Sequence, residues 1–321
     1  MQYKTRGVVL ISVLLIVLLL SSIAALIGNN YFTAFKRAQF IEFQTISLNI
    51  FKSIESLALK KIDNELRFNS KIHSKNNPLF VDNFLFETDK GIVKGKLIDS
   101  SNCFNMNSIV TRVSGRYKPN KQNIDVFKRL LIFKDVDRSI IEEVVDQIID
   151  WIDSDSEPRA YGLEDYYYTG PLSNPKEYTG SRIFFSLSEL KSLPAIRQIG
   201  WHVFSENFCV FPNNALNLNI NTINENDIAL IASIFKDITY SDAEYIIDNI
   251  PENGIKNFKD LKNLFPLYNI ESSKNYVKFS STNFNLVLSL SYENFISDSI
   301  SKIYYGNNNN SYIISRIYNG I

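Results

Sequence analysis

The segment that most limits how this chain can fold is its amino terminus. Met1–Gly7 is short, polar and cationic through Lys4 and Arg6, and Val8–Ile27 is apolar apart from Ser12, Ser21 and Ser22. That run has about the 20 residues a helix needs to cross a bilayer. Positive charge before it, and none for eight residues after it, puts the amino terminus in the cytoplasm and the bulk of the chain outside. Two processing routes compete. Val8–Leu20 fits the apolar core of a cleaved signal peptide, with Ser22-Ile23-Ala24 as the small-residue cleavage site. Against this, neither Gly nor Pro occurs from Asn29 to Asn77, and Phe43, Ile46, Ile50, Ile54 and Leu57 recur at steps of three or four, the spacing of one helical face. The apolar run therefore continues into an amphipathic half, giving one helix of about 50 residues. Signal peptidase would sever that helix from its head, whereas cleavage between Gly7 and Val8 would preserve it.

Charge narrows the partners. Lys plus Arg and Asp plus Glu number 34 each among 321 residues, so no overall field draws the chain to nucleic acid or acidic lipid. Cys103 and Cys209 are the only cysteines, which excludes a cysteine-rich zinc module and a small disulfide scaffold but leaves room for one bridge.

Beyond the long helix, Gly91–Ile98 and Cys103–Asn107 read as strands. Residues from about 123 to 267 read as helices and loops, with helical stripes in Val126–Phe133 and Ile140–Ile152. The tail returns to β character in Val277–Phe279, Asn285–Tyr292, Ser299–Tyr305 and Tyr312–Tyr318, with a polar hairpin loop at Gly306–Asn310. The fold class is α+β: a long amino-terminal helix on an antiparallel sheet, interrupted by a large helical insertion. The insertion contains a repeat. Ile132–Ile148 aligns with Ile234–Ile250, Ile-Phe-Lys-Asp opening both copies, which suggests two helix-turn-helix units. Such units can grip nucleic-acid phosphates through backbone amides. These turns, Lys134–Ser139 and Lys236–Ser241, lack glycine and carry aspartates, so packing is favoured over DNA binding.

The strongest chemical signal is acidic. Asp153, Asp155, Glu157 and Glu164 stand at positions 1, 3, 5 and 12 of a loop after a predicted helix, the ligand spacing of an EF-hand calcium loop, and Asp165 adds a further carboxylate. Position 6 is Pro158 rather than Gly, and Gly170-Pro171 opposes a following helix. The competing reading is a solvated loop whose Asp150 and Asp153 face Arg159. An enzyme is disfavoured: the cluster is too dense and loop-borne for an acid and base pair, His73 and His202 are too far apart in sequence to read as a metal pair, and no nucleophile elbow or Walker loop is present.

Lys4-Thr5-Arg6-Gly7 before an apolar helix resembles the class III leader of type IV pilins and pseudopilins. Asp150–Pro158 with Gly162–Tyr167, flanked by Phe104-Asn105-Met106-Asn107 and Leu218-Asn219-Ile220-Asn221-Thr222, resembles the K-class minor pseudopilins of type II secretion, the general secretion pathway protein K (GspK) family. The resemblance implies prepilin-peptidase cleavage between Gly7 and Val8, methylation of the new terminus, and calcium in the acidic loop. Most pilins carry Glu as the fifth mature residue to neutralise the terminus of a neighbour above. Here that position is Ser12, as expected of a subunit with nothing above it. Export would place Cys103 and Cys209, each beside a family-like motif, in an oxidising compartment, where a bridge is expected. The expected organisation is a leader over 1–7, a membrane half over 8–28, the first part of the head over 29–122, the insertion over 123–270 and completing strands over 271–321. The implied partners are the I- and J-class minor pseudopilins, the major pseudopilin, prepilin peptidase and the inner membrane, with no nucleic acid. The implied role is capping the pseudopilus tip and starting its assembly. The alternatives are a minor pilin of a type IV or competence system, and a secreted helix-hairpin-helix protein.

Overall fold

The computed structural model describes residues 6–69, 72–81, 83–306 and 308–319. Met1–Thr5 of the expected leader lie outside them. Helix α1, Arg6–Asn64, runs unbroken for 59 residues, about 90 Å at 1.5 Å per residue, and ends in one π-helical turn, Glu65–Asn69. It is the one helix among the described residues long and apolar enough to cross a membrane, and that apolar portion packs against nothing. The distal half buries Phe43, Ser47, Phe51, Ile54, Glu55 and Ile62. This corrects the face expected from sequence: Leu57 is 58% exposed, and Ile46 and Ile50 are half-buried. The packed face follows the 3.6-residue turn through Ser47 and Glu55, polar positions that a purely apolar pattern passes over. A short helix α2 (Pro78–Val81) then leads to an antiparallel hairpin, β1 (Phe84–Thr88) and β2 (Gly91–Asp99).

At Asp99 the chain leaves the sheet. Strand β3 (Phe104–Asn105) turns through a 3-10 segment, Met106–Ile109, into a tight hairpin, β4 (Val110–Val113) and β5 (Arg116–Pro119). Ser114 and Gly115 carry positive φ at its tip, the backbone a two-residue hairpin turn demands. Helices α3 (Lys121–Phe133) and α4 (Arg138–Ile152) follow, capped by Asn120 and Asp137. Then come α5 (Asp165–Tyr168), α6 (Pro194–Ile199) and β6 (Phe208–Cys209), which pairs parallel with β3. A second, leaner unit repeats the plan: β7 (Leu218–Asn219), α7 (Ile228–Ile234), α8 (Tyr240–Asp248), α9 (Phe258–Leu264) and β8 (Val277–Lys278), which pairs parallel with β7. The repeated Lys-Asp turns adopt the same backbone, Asp135 at φ 59° and Asp237 at φ 64°. Aspartate tolerates this left-handed region without glycine. One continuous core serves both units and draws on Phe104–Val110 and on Tyr276 and Val277, residues outside the 123–270 span expected from sequence. The short strands that close each unit are integral to its packing.

The chain re-enters the sheet through β9 (Asn283–Tyr292), β10 (Phe295–Tyr305) and β11 (Ser311–Asn319), giving the order β1-β2-β9-β10-β11, antiparallel throughout. Asp99 pairs directly with Phe284, and the Ser100 amide donates to the Asn283 carbonyl at 3.0 Å. Helix α1 lies across β9, β10 and β11. Ser297, Ser299, Ser301 and Ile303 form the buried side of β10. Over this sheet Glu55, 2% exposed, accepts from Ser301 Oγ and from Arg316 Nε at 3.0 Å. A second core, distinct from the insertion's, joins α1, α2 and the sheet.

Candidate cation centre in the acidic loop

The acidic loop is folded back onto the end of α4. Asp146 pairs with Arg159 Nε at 2.7 Å and accepts from the Tyr161 amide, while Asp150 Oδ2 accepts from the Arg159 amide at 3.1 Å. A Cβ on Gly162 would stand 1.7 Å from Asp150 Oδ2, so only glycine lets the loop lie this close to the helix. Further on, the Ser181 amide donates to the Trp151 carbonyl at 3.0 Å. Trp151 is buried beneath the loop, edge-on to Tyr168 at 5.2 Å between ring centroids.

This return path gathers Asp153, Asp155 and Glu164, whose ligand oxygens lie within 4.8 Å of one another. Asp153 Oδ1, Glu164 Oε1 and the neighbouring Asp150 Oδ1 are buried without a hydrogen-bond partner. Burial, then the adjoining carboxylates, push Asp153 and Glu164 up to about 7 and Asp150 up to about 6. Partial burial of mutually repelling carboxylates with unsatisfied oxygens is costly unless protons or a cation compensate. Two expected ligands are placed elsewhere. Glu157 is exposed and only its amide turns inward, to Asp155 Oδ1 at 3.1 Å. Asp165 Oδ1 is taken by the Thr179 amide and hydroxyl at 2.7 and 2.8 Å, so it ties the loop to itself. With Pro158 at the sixth position the backbone does not wind like an EF-hand, although one helical turn, α5, does follow Glu164.

The flanking asparagine motifs work in the interior. Asn107 donates to the Phe184 and Phe211 carbonyls and accepts from the Phe184 amide, at 2.8–2.9 Å. Asn221 treats Ile255 in the same way, donating at 2.9 Å and accepting at 2.7 Å. Asn105 holds the Asn213 and Ala215 carbonyls, and Asn219 reaches the His73 carbonyl, Asp99 and Ser281. Asn219 thereby fastens the insertion to the head. Four buried asparagines with backbone partners are a framework rather than a ligand site. Their F/L-N-x-N spacing was visible in sequence, their partners were not. Cys103 and Cys209 form a disulfide across the β3–β6 pair, Cα atoms 5.7 Å apart. Gly7 and Val8 lie in the first turns of α1, and the Ser12 hydroxyl donates to the Val9 carbonyl at 2.9 Å. His73 is buried and receives the Ser281 amide at Nδ1, and burial lowers its pKa.

A long helix, apolar in its first half and laid by its second half on an antiparallel sheet, with a helical insertion between two strands of that sheet, defines a pilin-like fold enlarged at its head. The chain matches, over residues 102–213, the family described as "Type II secretion system (T2SS), protein K". It is 27% identical to the putative type II secretion system protein K of Escherichia coli K12 over 79% of this chain and 77% of that one. It is 28% identical to the type II secretion system protein K of Pectobacterium carotovorum over 79% and 78%. The fold matches a chain in the crystal structure of the GspK–GspI–GspJ complex of the enterotoxigenic Escherichia coli type 2 secretion system, with TM-score 0.73, 19% identity and coverage of 88% of this chain and 99% of that one.

Proposed function

We propose that this chain is a non-enzymatic subunit that caps the tip of the pseudopilus and helps start its assembly. The observation that carries this reading is at Ser12, where the hydroxyl is spent on its own helix and offers no charge to neutralise an amine above it. The bulk of the insertion agrees, since a head this large would collide with itself if repeated along a tightly wound shaft. The GspK–GspI–GspJ complex supports I- and J-class minor pseudopilins as partners. So does the apolar groove between α1 and β1, lined by Ile50, Ile54, Leu57, Phe86 and Val93. The major pseudopilin binds from below. The apolar half of α1 is the single inner-membrane anchor, with the amino terminus cytoplasmic and the head periplasmic. Prepilin peptidase cuts after Gly7 and the Val8 amine is methylated.

Asp153, Asp155 and Glu164 fit a divalent cation, with Asp150 beside them. A hard cation such as calcium takes clustered carboxylate oxygens, and three of the four carboxylates present orphaned buried oxygens. When bound, calcium supplies positive charge that fixes the loop. Gold labelling of the head in assembled pseudopili tests the cap directly: one terminal label per filament is expected, and regular labelling along the shaft would overturn it. The mass of the mature amino terminus should correspond to methylated Val8, and a terminus near Ala25 would remove the anchor.

A further inference from the structure

A cleft of about 570 Å³ opens between the segment following α5 and the stretch that leads into α6, a size typical of ligand clefts. No described carboxylate pairs with either of the two cations that line it, Lys191 and Arg197. Neither is left to swing freely. Lys191 Nζ sits 4.5 Å over the Trp201 ring, and Arg197 donates to the Ser192 carbonyl at 2.9 Å. The other wall is different in kind: Leu172 on it is 98% exposed, and Tyr168, 3% exposed, has a hydroxyl with no partner among the described residues. Glu177 also stands on this wall, its amide held by the Tyr168 carbonyl at 3.2 Å.

We propose that this cleft binds an acidic polypeptide segment, one carboxylate meeting Lys191 and Arg197 while an adjacent apolar side chain covers Leu172. Paired cations select a carboxylate because like charge on the ligand is repelled and opposite charge is stabilised in a partly enclosed site. Glu177 decides between a polypeptide and a small dianion: it repels a second negative charge on its wall and accepts a backbone N–H. Aromatic and apolar side chains beside fixed charges are the composition of protein-binding surfaces. The proposal goes beyond assembly and does not depend on it.

The test uses the full chain in detergent and fluorescence anisotropy with a labelled hexapeptide carrying one glutamate next to one leucine among glycines and serines, against its counterpart with lysine in place of the glutamate. The acidic peptide is expected to bind about tenfold more tightly or better. Lys191→Ala and Arg197→Ala should each weaken it severalfold, and the double variant Lys191→Glu/Arg197→Glu should reverse the preference. Both side chains are exposed, so unchanged melting of the variants will show that the fold survives. Lys259→Glu, on the other helical unit, should leave the preference intact. Equal affinity for the two peptides, no saturable binding, an unreversed preference in the double variant, or an equal effect of Lys259→Glu would each overturn the proposal.

Discussion

Asp153 and Glu164 tie stability to pH in a definite direction. Their folded pKa values, about 7, lie above the ordinary carboxylate range, so between roughly pH 4 and 7 the folded state holds more protons than the unfolded one. Their stabilising contribution is complete below the lower limit and lost as pH rises through the upper. In chelator, the melting temperature should therefore fall over that window relative to the Asp153→Asn/Glu164→Gln variant, and calcium should restore the wild type near pH 7 but not the variant. Identical profiles with calcium and with chelator would count against a bound cation. A second expectation concerns Asn107. Replacing it by Ala removes three buried hydrogen bonds and strands the Phe184 amide and carbonyl, at a cost of about 3 kcal/mol, measurable by urea unfolding. Sequence could name the carboxylates and the asparagines but not which would meet. Asp155 and Glu164 are brought together by Gly162 lying against Asp150, and Asp165 is withdrawn by Thr179, a residue far along the loop with no signature of its own.

Helix α1 and the sheet form one unit through contacts that are partly polar. Arg316 remains 41% exposed in its side chain whereas Glu55 is buried, so the pair is asymmetric. Arg316→Ala leaves a buried carboxylate with Ser301 as its remaining partner and should cost about 3 kcal/mol. Glu55→Ala, after which Arg316 can turn to water, should cost less. Denaturant melts of the two variants in the full chain will order them. Strands β2, β9, β10 and β11 were legible because alternation and β-branched residues run through them. Strand β1 was not: it is short, and its Leu85 and Phe86 are exposed, so no inward face shows in the sequence. The β4–β5 hairpin was hidden by its brevity. Within α1 the length was legible from the lack of Gly and Pro, while the packed face was misjudged because Ser47 and Glu55 share it.

Among the described residues of the whole molecule, two cores are joined by polar fastenings, chiefly Asn219 together with Asp99 and His73. Within the insertion the disulfide closes a segment with a sequence separation of 106 residues. In the chain-entropy argument a loop of that size is worth about 4 to 5 kcal/mol. Cys103→Ser should accordingly lower the melting of the insertion while the head, whose core lies elsewhere, unfolds close to its original temperature. A common shift of both transitions would show that the cores melt as one.

Asp99 faces Phe284 across the sheet, and Ser100 is bonded to Asn283, so everything between these positions leaves and returns through one gap between neighbouring strands. The sheet would keep its register if that gap were closed by a simple turn. The insertion thus has the character of an exchangeable cassette. Its size and surface can change without retuning the part that seats the helix, and the half of the molecule built from α1 and the sheet is insulated from changes in what it carries.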